Sequence, residues 1–174
     1  FSLDGTDDYI SIPANENLNI TGDVTVDLWA KRTSLGLAHM ITQGASVIKS
    51  ADRPIAYTLF FDADDRFRAT FKTASFAFIA IIGPTVANTG FHHYAYTRSG
   101  NVHRLYMDGQ VVQTASFTNG TGDTSGLPLT IGAARDDQFP SGYYGHFSGI
   151  LDEVAVSNRS LTGSEIGDKF DAGT

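Results

Sequence analysis

The sequence predicts an all-β protein, a two-sheet antiparallel β-sandwich with one short helix near its C-terminal end. Of the 174 residues, 59 are Val, Ile, Thr, Phe, Tyr or Trp, the residue types that favour strands. The acidic residues are 16 Asp and only 3 Glu, and Asp favours turns whereas Glu is common on helix surfaces. Short apolar runs separated by turn residues recur about every 8–12 residues, which is typical of sandwiches.

Composition limits the class of protein and its partners. The formal net charge is −7, and nucleic acids or anionic membranes need a basic surface, so neither is expected as a partner. No apolar run is long enough to insert into a membrane. Cysteine is absent, which excludes disulfides and thiolate metal sites. We expect a single domain over residues 1–174, and because it begins at Phe1 without an initiator Met, a domain excised from a larger parent chain.

The elements follow from periodicity and turn signals. The clearest strand covers residues 24–31, where apolar and polar residues alternate over eight positions. Thr162 and Glu165 have the spacing of a capping box, which predicts a helix over the residues that follow. The predicted strands cover residues 1–4, 9–12, 24–31, 39–42, 56–61, 66–72, 76–82, 92–98, 104–107, 111–117, 129–133 and 145–157.

Two turn sequences predict hairpins. Asp108-Gly109 lies between two strand-like runs and is among the strongest short-range hairpin signals. The acidic run over residues 62–65 connects two further strands, and we interpret it as a solvated hairpin loop. Its spacing resembles the start of an EF-hand loop, but the required Gly and the later Glu do not follow.

Four stretches together resemble the laminin-G-like, concanavalin A-like jelly-roll family. They span nearly the whole chain in the expected order, and Phe91 stands where the family commonly has Trp. The resemblance implies two stacked antiparallel sheets, one concave and one convex, with the chain termini close together. The stretches are Phe1-Ser-Leu-Asp-Gly-Thr-Asp-Asp-Tyr9 with Ile12-Pro13, Gly22-Asp-Val-Thr-Val-Asp-Leu-Trp29, the pair Phe91 to Arg98 and Arg104 to Gly109, and Leu129 to Gly132 with Gly149 to Val154, Asn158-Arg159 and Leu161 to Ile166.

The acidic turn near the start of the chain is a candidate calcium site. Calcium prefers several carboxylate and carbonyl oxygens held by a flexible loop, and the segment Asp4-Gly-Thr-Asp-Asp8 offers them. The resemblance implies a structural Ca²⁺ between the first and last strands, with Asp152 beside Asp4, so the expected ligands are Asp4, Asp8 and Asp152. The alternative is that Asp7 and Asp8 cap the turn and that Asp152 points to solvent.

A second loop carries the candidate ligand-binding residues Tyr143, Tyr144, Asp136 and Asp137. Carboxylates accept hydrogen bonds from sugar hydroxyls, and aromatic rings stack on the apolar faces of pyranoses. The alternative is a packed loop around Phe139. The five histidines are scattered, and core or surface positions explain them; His92 and His93 would face opposite sides of a strand.

No catalytic residues are assigned. Jelly-roll glycosidases resembling this chain carry paired acids on one strand, whereas the three Glu residues here lie far apart and none has an Asp two positions later. We therefore expect a non-catalytic carbohydrate-binding, lectin-like module of a secreted or cell- or virion-surface protein, with a glycan or a protein surface as its partner. The alternative is a structural or protein-interaction domain of an adhesion, surface or virion-tail protein.

Overall fold

The computed structural model describes residues 1–45, 55–73, 77–118, 124, 126–136 and 141–173 of the chain. In these residues two six-stranded antiparallel sheets pack face to face, and one α-helix lies near the C-terminal end. Both features confirm the predicted β-sandwich and its single short helix. None of the helices in the described ranges is both long enough and apolar enough to cross a membrane.

The first sheet contains the first and last strands of the chain side by side. Asp4 pairs with Ser148, and Ser2 pairs with Ile150, so the two ends of the chain are joined by one ladder. In spatial order the strands are β1 (Ser2–Asp4), β14 (Ser148–Ser157), β3 (Val24–Arg32), β8 (Phe91–Ser99), β9 (Val102–Met107) and β10 (Gln110–Ser116).

The second sheet supplies the opposite layer. A further two-stranded ribbon and a 3₁₀ turn (Glu16–Leu18), neither of them predicted, lie outside it. The sheet consists of β2 (Ile10–Ile12), β11 (Leu129–Ile131), β4 (Ala38–Gly44), β5 (Ile55–Phe61), β6 (Arg66–Lys72) and β7 (Phe78–Thr85), and the ribbon of β12 (Ala134–Arg135) and β13 (Tyr143–Tyr144).

The alternation in β3 divides its side chains between the core and the outer face of the first sheet. Val24, Val26 and Leu28 are fully buried in the core between the sheets, as their period of two predicts. Thr25 faces outward and anchors the segment before the helix: its hydroxyl donates to the Arg159 carbonyl at 2.8 Å and accepts the Leu161 N–H at 2.8 Å. The outer face of β3 therefore holds the C-terminal segment.

Helix α1 (Gly163–Ala172) lies on that outer face. Thr162 is its N-cap, and the reciprocal hydrogen bonds with Glu165 form the predicted capping box. Its buried residue, Ile166, packs in a small apolar cluster with Ala95, Tyr106 and Leu161. The helix thus covers part of the first sheet's outer surface, away from the main core.

The two predicted hairpins are present. Asp108 and Gly109 both have positive φ angles, of 50° and 74°, as a two-residue hairpin turn requires. Between β5 and β6, Asp62 is buried and ion-paired: its carboxylate contacts Arg66 at 2.9 Å and Arg68 at 2.6 Å. The expectation of a solvated loop is therefore wrong for Asp62, because cations on β6 neutralise its charge below the surface.

Strand β7 runs further than the sequence predicts. It continues through Gly83 and Pro84 to Thr85, whereas the predicted strand ends at residue 82. Proline is tolerated because β7 is the outermost strand of its sheet, where one row of N–H groups needs no partner. The predicted start of this strand at Phe76 lies outside the described residues.

Candidate functional site

The acidic turn between β1 and β2 brings three carboxylates together. One ligand atom each from Asp4, Asp7 and Asp8 lies within 4.8 Å of the others, and all three residues are exposed. The turn is organised by its own carboxylates: Asp4 Oδ1 accepts the Thr6 N–H at 2.7 Å, and Asp8 Oδ2 accepts the Asp4 N–H at 3.0 Å. Two of the three carboxylates therefore also cap the turn.

The donor set of this turn fits a calcium ion. Ca²⁺ binds oxygen at 2.3–2.6 Å, so two of its ligands stand at most about 5.2 Å apart, and the 4.8 Å spread falls within that limit. The hydrogen bond from the Thr6 amide lowers the pKa of Asp4, which therefore stays ionised at neutral pH. The carboxylate that completes the cluster is Asp7, which was not among the predicted ligands.

Asp152 does not lie beside Asp4. The ladder between β1 and β14 places Ser148 opposite Asp4, and Asp152 lies four residues further along β14, opposite Trp29 of β3. At about 3.3 Å per residue this separates the two aspartates by roughly 13 Å along the strand. The expected pairing of Asp152 with Asp4 is wrong, because the motif around Asp152 identifies the strand but does not set its register.

The predicted ligand-binding loop is the ribbon of β12 and β13. Tyr143 and Tyr144 are half-buried and make different contacts: Tyr143 stacks on Tyr9, whereas Tyr144 meets the ring of His39 edge-on, with centroids 5.0 Å apart. Asp136 is only 6% exposed, so its carboxylate is not presented on the surface with the tyrosines. Asp137 and Phe139 lie outside the described residues.

Tyr9 joins the two predicted groups into one surface. Its ring lies 4.0 Å from that of Tyr143 with an interplanar angle of 25°, and it directly follows Asp8 in the chain. Burial, and then the neighbouring Tyr143 phenol, raise the pKa of Tyr9, so its hydroxyl remains protonated. The His146 imidazole lies 3.5 Å from the Asp8 carbonyl and 6.2 Å, between ring centroids, from Tyr9.

We call this region the tyrosine–aspartate surface. Tyr9 and His146 were not predicted, because their place in the site depends on strand pairing between the two ends of the chain. The one local signal was the position of Tyr9 directly after the acidic turn. The residues of the surface are Asp4, Asp7, Asp8, Tyr9, Tyr143 and His146.

Three of the other four histidines, His39, His93 and His103, are buried. His39 and His103 are buried, and both stack on phenylalanine rings, at 4.9 Å on Phe60 and 4.7 Å on Phe71. His93 is also buried and lies on the outer face of the first sheet, under helix α1. These positions agree with the expectation that the histidines belong to the core or the surface.

Known structures share this fold. The CBM40 domain of the Ruminococcus gnavus IT-sialidase, solved with α2,3-sialyllactose, superposes with a TM-score of 0.71 at 14% identity, over 94% of this chain and 96% of that one. A heptameric SAP-like pentraxin of Limulus polyphemus gives 0.64 at 16% identity, over 95% and 78%. A Trypanosoma rangeli sialidase gives 0.62 at 19% identity, over 86% of this chain but only 23% of that protein.

At these identities the structural similarity establishes the jelly-roll fold. The sialyllactose ligand is a property of the CBM40 domain in which it was observed. Among curated proteins, no sequence matches the chain. A family model does match it: the model for the concanavalin A-like lectin/glucanases superfamily covers residues 4–167. The chain therefore belongs to the concanavalin A-like lectin/glucanase superfamily.

Proposed function

We propose that this chain is a non-catalytic carbohydrate-binding module that binds its glycan on the tyrosine–aspartate surface. The observation that carries the proposal is the stack of Tyr9 on Tyr143 directly beside the carboxylates of the acidic turn. The superfamily and the sialyllactose complex of the similar CBM40 domain support a glycan as the ligand.

The surface combines the two kinds of group that a sugar needs. Tyr9 keeps 40% of its surface exposed, which leaves ring area for the apolar face of a pyranose. The exposed carboxylates of Asp7 and Asp8 accept hydrogen bonds from sugar hydroxyls. Because Tyr143 already holds the Tyr9 ring in place, binding loses little side-chain freedom.

The same proposal includes a structural calcium ion on Asp4, Asp7 and Asp8. The ion would neutralise three close carboxylates and fix the turn that carries Tyr9. An exposed, solvent-facing set of this kind matches the weak sites of extracellular modules, with dissociation constants of about 10⁻⁴–10⁻³ M. Because so weak a site is filled only at millimolar calcium, the proposal includes a location outside the cell, in a secreted protein or on the surface of a cell or virion.

Glycan binding is tested by titrating the labelled protein with α2,3-sialyllactose and with neutral oligosaccharides, followed by NMR. Tyr143→Ala should weaken binding about two- to tenfold, because it removes the ring that holds Tyr9 in place, and an aromatic pair contributes about 0.5–1.5 kcal/mol. Phe78→Ala is the matched control, because Phe78 is 47% exposed on β7 and should leave the affinity unchanged. If no glycan of either class binds, with or without calcium, the protein-interaction alternative replaces this proposal.

The calcium part has its own measurement. Thermal unfolding in millimolar CaCl₂ and in chelator should differ, with the higher midpoint in calcium, because an ion that binds only the native state stabilises it. Asp7→Asn should abolish the difference, whereas Asp168→Asn, an exposed aspartate on helix α1, should preserve it. Equal midpoints in calcium and chelator would contradict a calcium site and leave glycan binding to be judged separately.

A further inference from the structure

A concavity lies on the outer face of the first sheet, beyond the end of helix α1. Its volume is about 290 Å³, close to the lower end of the range for small-molecule pockets. We call it the Trp29 pocket, and the described residues that line it are Trp29, Phe91, Asp152, Glu153 and Gly173. It is formed by β3, β8 and β14 and shares no residue with the tyrosine–aspartate surface.

The aromatic wall of the pocket is rigid. Trp29 stacks on Phe170 of helix α1, with centroids 5.6 Å apart and an interplanar angle of 19°. The backbone of Gly173 lies so close that an added Cβ would stand 2.5 Å from the indole nitrogen. Phe91, 45% exposed, forms the second aromatic side. A ligand therefore meets an indole that is already held in position.

A β-bulge supplies the acidic wall. Successive side chains of a regular strand point to opposite faces, so adjacent acids would not normally line one pocket. The pairing of β14 with β3 shifts between Asp152 and Ala155, and within this bulge Glu153 has a φ of +49°, a conformation that L residues rarely adopt. Asp152 Oδ1 accepts the Glu153 N–H at 3.0 Å. The bulge thus brings two consecutive acidic residues to the lining of the same pocket.

We infer that the Trp29 pocket binds a small organic cation of the alkylammonium class. The two aromatic residues of the pocket, Trp29 and the 45% exposed Phe91, offer rings that attract a cation, and the acidic residues Asp152 and Glu153 add direct Coulomb attraction. A ligand gains from both the aromatic and the acidic residues only when it is positively charged and also carries apolar methyl or methylene groups. An anionic sugar would meet like charge at Asp152 and Glu153, and a neutral one would gain nothing from their charge.

Lys31 bears on the same inference. Its ammonium group lies 5.9 Å from the centroid of the Phe91 ring, so the aromatic wall already has a cation at its outer end. Its charge opposes a cationic ligand and would favour an anionic one. Removing the charge of Lys31 therefore has opposite effects on the two classes of ligand, which makes it a direct test of the sign.

The experiment uses the fluorescence of Trp29, the single tryptophan of the chain. The protein is titrated at constant ionic strength with choline, and separately with 3,3-dimethylbutan-1-ol, which has nearly the same shape without the charge. We expect a saturable change in Trp29 emission, with choline binding about tenfold or more tightly than the neutral analogue, the ratio that 1.4 kcal/mol of charge interaction produces.

Three variants then identify the groups responsible. Asp152→Asn and Glu153→Gln keep the shape of the side chains and should each weaken choline binding several-fold, whereas Lys31→Met should strengthen it. Glu16→Gln, on the exposed 3₁₀ turn outside both surfaces, should leave it unchanged. Circular dichroism spectra or amide hydrogen exchange confirm that each variant is folded.

The inference is overturned by any of three results: no saturable change with choline, equal affinity for choline and its neutral analogue, or weaker choline binding in Lys31→Met. Saturation by CaCl₂ at lower concentrations than choline, abolished by Glu153→Gln, would also overturn it in favour of a metal site. Glycan binding on the other surface is measured independently, so failure here leaves the proposed function standing.

Discussion

Lys169 of helix α1 forms an ion pair with Asp27 of β3, with 2.8 Å between Nζ and Oδ2. The Asp27 side chain is only 3% exposed, whereas that of Lys169 is 40% exposed. A partly exposed ammonium group therefore neutralises a buried carboxylate. His93 Nε2 lies 3.6 Å from the same oxygen. Together with the Trp29–Phe170 stack, this pair fastens the helix to the sheet.

Lys169→Met should therefore lower the free energy of unfolding by about 1–3 kcal/mol, because it leaves the Asp27 carboxylate buried without its nearest cation. Urea unfolding measures the loss. In an Asp27→Asn background the same substitution should cost at least about 1 kcal/mol less, since no charge remains to be stranded. If Lys169→Met lowers the free energy of unfolding equally with and without the Asp27 charge, the ion pair does not contribute to stability.

Arg32, the last residue of β3, contacts the β5–β6 turn, the segment after β7 and the end of β5. Its guanidinium donates to Asp65 at 2.8 Å and to the Val86 carbonyl, and it lies 3.8 Å from the centroid of the Phe61 ring. Arg32→Met should cost about 3 kcal/mol in urea unfolding, because the buried Val86 carbonyl loses its side-chain donor and the Asp65 carboxylate loses its cation. Arg32→Lys should recover only part of this loss, since an ammonium cannot make the forked contact.

The control for Arg32 is its neighbour in the chain. Lys31 is exposed, so Lys31→Met should change the free energy of unfolding by no more than about 0.5 kcal/mol. If Arg32→Met costs as little as Lys31→Met, the contacts of the guanidinium are not a significant source of stability.

Elements with local signals could be predicted from the sequence. The alternation of residues 24–31, the Asp108-Gly109 turn and the Thr162–Glu165 capping box each depend on neighbours a few residues apart, and each is present in the structure. Such features arise from side-chain periodicity and backbone sterics, which a short stretch of chain already contains.

The sites depended on register, which local sequence does not determine. Tyr9 meets Tyr143 because the pairing of β1 with β14 and of β2 with β11 brings together segments that are far apart in the chain. The expected position of Asp152 beside Asp4 differs by four residues from the observed register for the same reason. Register is fixed by long-range packing and bulges rather than by the strand's own composition.

Two buried histidines predict a loss of stability in mild acid. Burial lowers the pKa of His39 to about 3, with a smaller effect of His146, and burial followed by the charge of Arg98 lowers that of His103 to about 4. Both would titrate near 6.5 in the unfolded chain. Between about pH 4 and 6.5 the unfolded state binds protons that the native state does not, so the free energy of unfolding falls as pH falls.

The expected slope is at most about 1.4 kcal/mol per pH unit for each histidine, measured by urea unfolding between pH 4.5 and 7. His103→Gln should remove about half of the slope while it keeps an acceptor for the Tyr96 hydroxyl, which contacts His103 at 2.8 Å. If the slope between pH 4.5 and 7 is the same in His103→Gln as in the unmodified protein, His103 is not one of the groups responsible.

Glu165 affects stability at lower pH. Its hydrogen bond with Arg159 lowers its pKa to about 2, so its contribution to stability is lost only as pH falls from about 4.5 towards 2.

Gly149 permits the close approach of β14 to β3. Its φ is +140°, and an added Cβ would overlap the Lys31 carbonyl oxygen and stand 3.0 Å from the Arg32 Cα. Because both contacts are backbone, no rotamer change relieves them, and Gly149→Ala should cost more than about 3 kcal/mol or prevent folding. Gly36→Ala is the matched control: its φ is +100°, but nothing lies within 4 Å of the added Cβ, so only the conformational cost of about 1–2 kcal/mol remains. Circular dichroism with urea unfolding compares the two, and a Gly149→Ala protein as stable as Gly36→Ala would show that the two strands can separate at this point without loss.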